Sequence, residues 1–396
     1  MISIIFLLSP ALFAKSNASE NFLFVIIDGA RYSETFGDPN HTYVPQMWNL
    51  AQQGTYAANF YNDSLTYTAA AIPALWCGTW TDVRDTVYQS IHTNYAVKPS
   101  LFEYYRKQKN MPADQCFYVL KSLSSLWLPS FDAEYGPDYW PQFHSLGHSD
   151  AEVATEAQKV MDSYHPRFLW VYLADVDSKG HSGDWSAYTH AILEADSIVG
   201  LLWNRVQTDP FYRNSTTLFV TNDHGRHDDQ HGGFSGHGCG CEGCRHIMFL
   251  ALGAGIRQNY VSSQYHRIPD MAVTAAAMLD VNPGKASGEV MNEMLDPSGI
   301  AENNTDFLPA SVALAQNYPN PFNNSTRIKY QLSAPGSVRL EIFNCVGQQV
   351  ALLFDGWQSA GMHTAEWSGD HAVSGIYFYQ LSSPNTILRR KCLLLK

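Results

Sequence analysis

Hydrophobic positions in this chain fall into two regimes. From residue 20 to about 295, short unbroken apolar runs alternate with stretches in which apolar side chains recur every three or four residues. The runs Phe22-Leu-Phe-Val-Ile-Ile27, Phe168-Leu-Trp-Val-Tyr-Leu173, Thr217-Leu-Phe-Val-Thr221 and Ile247-Met-Phe-Leu-Ala-Leu252 show no polar alternation. That is the pattern of strands buried on both faces of a parallel sheet. Between them, Pro45 to Gln53 has Pro near a helix start and Gly54 just past its end. Ser149 to Tyr164 opens on Ser-Asp and stops before Pro166, and Asp184 to Val206 carries Tyr188, Ile192, Ile198, Leu201 and Leu202 at helical spacing. Strands separated by helices predict an α/β layered domain with a mainly parallel central sheet.

After Leu295 the pattern changes. Residues 296–312 contain Pro, Gly and Asn without a period and read as a linker. From 313 to 396, Thr326–Leu332, Ser337–Phe343, His363–Trp367 and Gly375–Leu381 alternate apolar and polar positions, with Gly and Pro between them. This predicts a small all-β sandwich. It holds no Asp/His constellation, so no catalytic role is expected of it.

Three of the large-domain runs end in acidic or histidine-bearing residues: Asp28, Asp177-Ser-Lys-Gly-His181, and Asp223-His224-Gly225. Ligands of open α/β sheets collect at the carboxyl ends of the strands. Three strands delivering Asp and His to one edge would build a metal site, which points to a metallohydrolase. Between the first two motifs lies Thr68-Ala-Ala-Ala-Ile-Pro-Ala-Leu-Trp-Cys-Gly78, a helical pattern with Thr68 at its start. A helix N-terminus offers free N–H groups and positive partial charge to an anion, and a hydroxyl there could attack phosphorus. Taken alone, the segment reads first as a plain N-cap.

Composition narrows the partners. With 45% hydrophobic residues the 396-residue chain can bury a sizeable core, and its length suits one large and one small domain. The net charge of −12 argues against a nucleic-acid-binding surface. A phosphate-bearing substrate stays open, because metal ions can supply local positive charge. Residues 1–18 read as a secretory signal: Ile2 to Leu8 is apolar and Ala14, Ser16 and Ala18 follow, although a basic first segment is missing. No other apolar run is long enough to span a bilayer. Seven cysteines cannot all pair within the chain. Three cluster as Cys239-Gly-Cys241-Glu-Gly-Cys244, where a structural metal would need thiolate or imidazole partners to reach four ligands. In an exported chain a local disulfide, or a bridge to Cys77 or Cys116, is the expected use.

In order, Asp28-Gly29, Thr68 ten residues before Gly78, Asp177-x-x-Gly-His181, Asp223-His224-Gly225 and a further His-Gly resemble the alkaline phosphatase superfamily across most of residues 21–295. The resemblance implies that residues 20–295 form an alkaline-phosphatase-like catalytic domain with two divalent metal ions, zinc being favoured by mixed Asp/His ligation. One metal would be held by Asp177, His181 and a distal His. The other would be held by Asp28, Asp223 and His224, with the Thr68 oxygen beside it. For the distal ligand His237 is preferred, because it directly precedes the Cys-rich turn and the next strand; His231 is the alternative. Asp175 is expected to be a supporting carboxylate. The activity implied is hydrolysis of a small-molecule or oligomeric phosphate ester, mono- or diester, through a covalent phosphothreonine at Thr68. Sulfatases of the superfamily carry Cys or Ser followed by x-Pro-x-Arg, whereas Pro73 here is flanked by Ala71 and Leu75 at those positions. A sulfatase-like ester hydrolase is the alternative within the superfamily, and a non-catalytic surface-binding protein with a structural metal site is the alternative outside it. Asn94 resembles a family Asn that bonds a phosphoryl oxygen. Arg31, Arg84, Lys179 and Arg226 could meet phosphate or be solvated surface charges, and Tyr61, Tyr67, Trp76 and Trp80 could stack on a nucleoside or pack in the core.

The tail, from Asn317-Tyr-Pro-Asn-Pro-Phe-Asn323 through Ser374-Gly-Ile-Tyr-Phe-Tyr379 to Arg390-Lys391, resembles the C-terminal sorting domain of type IX secretion substrates. The resemblance implies engagement of that secretion machinery, a secreted or cell-surface bacterial protein, and loss of the segment from about Ala313 in the mature form.

Overall fold

The computed structural model describes residues 19–122, 127–147, 149–296, 312–317, 319–332, 336–358, 361–370, 372–383 and 386–396. The expected signal segment and almost all of the expected linker lie outside the described residues. The chain divides into a large unit up to residue 300 and a small one from residue 301.

The large unit is built on an eight-stranded sheet. Across it the strands run Tyr260–Ser262, Thr55–Ala57, Phe249–Gly253, Thr216–Thr221, Asn21–Ile27, Phe168–Leu173, Cys116–Leu120 and Gln142–Ser145. Asn21–Ile27 pairs in parallel with both Thr216–Thr221 and Phe168–Leu173, and the parallel run continues to Gln142–Ser145. Phe249–Gly253 is antiparallel to both its neighbours. The apolar run expected from Ile247 to Leu252 is thus divided: His246–Ile247 pairs with Phe60–Tyr61 in a small separate sheet, and only the remainder enters the central one.

Both faces of the central strands are buried, which accounts for their unbroken hydrophobicity. Phe22, Phe24 and Ile26 face a core shared with the helices Thr68–Cys77, Leu101–Gln108 and Ile268–Met278. Leu23, Val25 and Ile27 face a second core with Pro45–Ala51, Asp150–Tyr164 and Trp185–Thr208. Each fully buried side chain of this kind contributes about 1.5–3 kcal/mol. Helix boundaries follow local chemistry. Ser149 caps its helix by accepting from the Glu152 N–H, and Ser100 and Glu103 form a reciprocal capping box. Gly78 ends the Thr68 helix with φ at +64°, a conformation that favours glycine. That helix packs along Ile268–Met278, on the first face of the sheet.

The small unit consists of antiparallel sheets. One joins Ala313–Leu314, Ser325–Leu332 and Gly361–Ser368, and the other joins Gln349–Gln358, Gly336–Asn344, Gly375–Ser383 and Thr386–Leu394. Ile328, Leu340, Ile342, Tyr379 and Leu394 are among the residues of its core. The four predicted strands are present, and Ala313–Leu314, Gln349–Gln358 and Thr386–Leu394 are added to them. Among the described residues no helix is long and apolar enough to cross a membrane.

Candidate metal centre

Three adjacent parallel strands, Thr216–Thr221, Asn21–Ile27 and Phe168–Leu173, end side by side, and the chain just past each end carries the acidic and histidine motifs. Asp28 follows its strand directly. Asp177 and His181 share the seven-residue helix Asp175–His181, four residues apart and so on one face. Asp223 and His224 come after Thr221 with only Asn222 between.

Asp28, Asp223 and His224 form one group of donor atoms, all within 4.8 Å of one another and all buried. The His224 Nε2 stands 3.5 Å from Asp28 Oδ1 and 3.4 Å from Asp223 Oδ2. The Thr68 hydroxyl approaches it at 3.1 Å from His224 Nε2 and 3.5 Å from Asp28 Oδ1. The helix N-cap is Tyr67, and Thr68 is the first helical residue with no side-chain cap bond at this end. The plain N-cap reading of Thr68 therefore does not describe it.

A second group lies alongside. His181 Nε2 is 3.3 Å from Asp177 Oδ2, His237 Nε2 is 3.5 Å from Asp177 Oδ1, and the two imidazole nitrogens are 3.0 Å apart. The His237 ring stacks on His224 with centroids 4.1 Å apart, so the two groups abut. His231 is elsewhere, exposed and bonded to Asp228 at 2.6 Å. Asn94 pairs across a hairpin with Asp85 at 2.5 Å and is not among the residues lining the cleft.

The electrostatics of this cluster call for cations. Burial first, then Asp223 and Asp177, hold the Asp28 carboxyl well above the ordinary carboxylate range. Asp223 is pushed up to about 7, again by burial and then by Asp177. The His237 imidazole is pushed down to about 4 by burial and by His224. Asp223 Oδ2 is buried with no hydrogen-bond donor, although its other oxygen accepts from the N–H groups of Gly29 and His224. His224 Nδ1 is 2.8 Å from the Gly225 carbonyl and His237 Nδ1 is 3.0 Å from the Thr66 carbonyl. Each Nδ1–H donated in this way leaves an Nε2 lone pair facing the carboxylates, as metal-ligating histidines require. The orphaned oxygen, the tautomers and the mixed N/O donor set all fit divalent metal ions.

Supporting residues surround the cluster, Tyr172, Lys121 and Asp150 among them unforeseen in the sequence. Arg226 is fully buried, so it is neither a surface charge nor a phosphate-facing one. Its guanidinium binds Asp177 Oδ1 and the carbonyls of Phe234 and Ser235. Arg31 is likewise consumed in a buried pair with Glu34 at 2.6 Å. Arg84 and Lys179 are exposed. Tyr172 donates its hydroxyl to Asp28 Oδ2. Asp175 acts as a strut: it accepts from Lys121 Nζ at 2.5 Å and from the Asp150 N–H at 2.9 Å, and the Asp150 carboxylate in turn accepts from the amides of Ala174 and Asp175. Of the proposed stacking residues, Trp76 is buried in the core, Tyr61 stacks on His246, and Trp80 donates to Asp63. A cleft of about 270 Å³ opens over the group, lined by Asp28, Thr68, Lys121, Ser122, Tyr172 and Asp177 among others.

Gly180, the glycine of the Asp177-x-x-Gly-His181 motif, is where the Arg226 side chain lies, and a Cβ there would overlap the guanidinium. Gly180→Ala is expected to displace Arg226, loosen Asp177 and weaken metal binding roughly 10- to 100-fold. A chelator-competition titration checks this. Unchanged affinity would show that Arg226 does not position Asp177.

Residues 144–280 match the family described as the Metalloenzyme superfamily, and residues 316–394 match the Secretion system C-terminal sorting domain. No curated protein matches the chain. Similar solved structures include murine ectonucleotide pyrophosphatase/phosphodiesterase 5, an inactive variant in complex with AMP. It is 12% identical with a TM-score of 0.53, over 70% of this chain and 100% of that one. A 2-O GAG sulfatase is 11% identical with a TM-score of 0.55, over 89% and 86%. A mutant of alkaline phosphatase PafA is 11% identical with a TM-score of 0.50, over 70% and 99%. At these identities the structures establish a shared fold. The large unit thus has an alkaline-phosphatase-like α/β fold, and its residues 144–280 carry the metalloenzyme match. The sorting domain marks the chain as a bacterial protein bound for the cell surface or the medium through a secretion machinery.

Proposed function

We propose that this protein is a secreted two-zinc phosphoric ester hydrolase that works through a covalent phosphothreonine at Thr68. The observation that carries the reading is the Thr68 hydroxyl, set at a helix N-terminus beside His224 and Asp28 and facing the cleft. Asp28, Asp223 and His224 would hold one ion, and Asp177, His181 and His237 the other. Two such ions supply the positive charge that activates a hydroxyl near neutral pH and stabilises the departing oxygen.

The chain's own groups do the rest. Thr68 Oγ forms the bond to phosphorus as the alcohol leaves, and hydrolysis of that ester regenerates the hydroxyl. The N-terminal amides of the Thr68 helix favour the anionic phosphoryl group. Lys121, in the cleft lining and tethered by Asp175, offers a cation to a terminal phosphoryl oxygen. A monoester carries that extra charge and a diester does not, so the lysine supports phosphomonoester hydrolysis. Trp76, Tyr61 and Trp80 are engaged elsewhere, which leaves only Tyr67, exposed beside Thr68, of the candidate nucleoside-stacking wall that the diester reading needs. Ala71 and Leu75, where a sulfatase needs its modifiable residue and Arg, weigh against sulfate esters.

The test is a substrate panel of p-nitrophenyl phosphate, its bis-ester and p-nitrophenyl sulfate on the zinc-loaded protein. The phosphate monoester is expected to have the highest kcat/KM. Lys121→Ala is expected to lower that value roughly 10- to 100-fold, the worth of a charge-assisted hydrogen bond, and to leave the bis-ester nearly unchanged. Preference for the sulfate would overturn the phosphate reading, and bound metal without turnover of any ester would make the protein a binding module.

A further inference from the structure

The Cys-rich turn left unexplained by the catalytic reading gathers a complete set of soft ligands. His227, Cys239, Cys241 and Cys244 bring one nitrogen and three sulfurs within 4.8 Å of one another, partly or fully buried. All seven cysteines are free thiols, so the expected disulfide, local or to Cys77 or Cys116, is not formed. Cys77 instead donates to the Lys98 carbonyl, and Cys116 is buried in its strand.

We propose that these four residues bind a zinc ion with a structural role, separate from the catalytic pair, that clamps the loop carrying His237. The donor set argues for it first. Four N/S ligands leave no open position, which distinguishes a structural zinc from a catalytic one, and Cys241-Glu-Gly-Cys244 has the two-residue spacing of zinc-binding cysteine pairs. The distances agree. Cys239 and Cys244 sulfurs are 3.8 Å apart, and His227 Nδ1 lies 3.0 and 3.2 Å from them. A tetrahedral site with Zn–S bonds of about 2.3 Å has sulfur–sulfur edges of about 3.8 Å, whereas a disulfide is about 2.0 Å. Backbone amides also point at the sulfurs: Cys241 N–H at the Cys239 thiol, Asp228 and Cys244 amides at the Cys241 thiol. Such donors stabilise thiolates and fix ligand orientation. Asp228 and His231 also come within reach of Cys241, but with a single sulfur and on the exposed side.

What the clamp would hold is clear from the chain path. Between His224 and Cys241 the backbone forms neither helix nor strand. Ligand His227 stands near its start, ligands Cys239 to Cys244 at its end, and His237 between them. The ends are also stitched by hydrogen bonds, Gly225 N–H to the Cys244 carbonyl at 2.9 Å and His227 N–H to the Gly236 carbonyl at 2.8 Å. Thr66 bonds the Cys239 carbonyl through its hydroxyl at 2.8 Å and accepts from His237 through its own carbonyl. Closing the loop at the sulfur cluster therefore presents His237 to Asp177.

Zinc K-edge X-ray absorption on the full-length protein tests this independently of catalysis, because the catalytic donors are oxygen and nitrogen only. The expected result is a sulfur shell corresponding to one S3N zinc per chain, retained in Asp177→Ala and lost in the double variant Cys241→Ser, Cys244→Ser. If the double variant does not fold, cobalt loading of the unmutated protein reads the same site, since only thiolate ligands give an intense near-ultraviolet charge-transfer band. Zinc bound without sulfur scattering, or three freely titrating thiols in zinc-saturated protein, would overturn the proposal. So would a cysteine pair oxidised to a disulfide in the secreted protein.

Discussion

Thr68→Ala is expected to cut kcat for p-nitrophenyl phosphate by on the order of 10³-fold or more while leaving zinc content near that of the unmutated protein. Asp28, Asp223 and His224 surround the hydroxyl and would still hold the ion, so the loss is of the nucleophile alone. Metal analysis alongside steady-state kinetics separates the two effects. A chiral phosphorothioate ester distinguishes the pathways further: two in-line displacements through Thr68 give retention at phosphorus. Inverted product would mean direct attack by water and would remove the covalent intermediate from the mechanism.

The second large effect concerns the distal histidine. His237→Ala should empty one of the two proposed metal positions and lower kcat/KM by at least about 100-fold, since it removes a donor that stacks on His224 and faces Asp177. His231→Ala should leave both metal content and rate close to those of the parent, because His231 is exposed and bonded only to Asp228 among the neighbours seen. The reverse pattern would assign the ligand to His231. Elemental analysis of the two variants, prepared in parallel with excess zinc, decides between them.

The sequence made the strand ends legible because two physical signals coincide there. Unbroken apolar runs are needed by strands buried on both faces, and the polar residue that ends each run sits by construction at the sheet's carboxyl edge. Asp28, Asp177, His181, Asp223 and His224 could therefore be read before any coordinate. His237 and His231 could not be told apart on such grounds, since both lie in a loop whose path has no period. Arg226 was misread because an arginine beside a metal motif looks like a substrate contact or a solvent-exposed charge. Its burial depends on Gly180, a glycine 46 residues earlier in the chain, leaving room for the guanidinium. Lys121 went unnoticed for a similar reason, its partner Asp175 being distant in sequence. The antiparallel turn of Phe249–Gly253 was hidden because a strand buried on both faces looks alike in either direction. His227 could have been coupled to the Cys-rich turn only by folding the loop back on itself.

The nucleophile and the metal ligands are supported by different layers of the molecule. Asp28, Asp177 and Asp223 are anchored at the ends of adjacent strands, whose register is locked by the parallel hydrogen-bond ladder. Thr68 rides on a helix whose seat is the seam with Ile268–Met278, where Gly78 comes up against Ala272 and Val273. A methyl group gained or lost in that seam would slide the hydroxyl by a fraction of an ångström over an Asp/His cluster that stays where it was. Under the proposed reading, descendants of this chain can therefore change which ester they cleave fastest through drift in a helix contact, without altering the residues that would hold the metal.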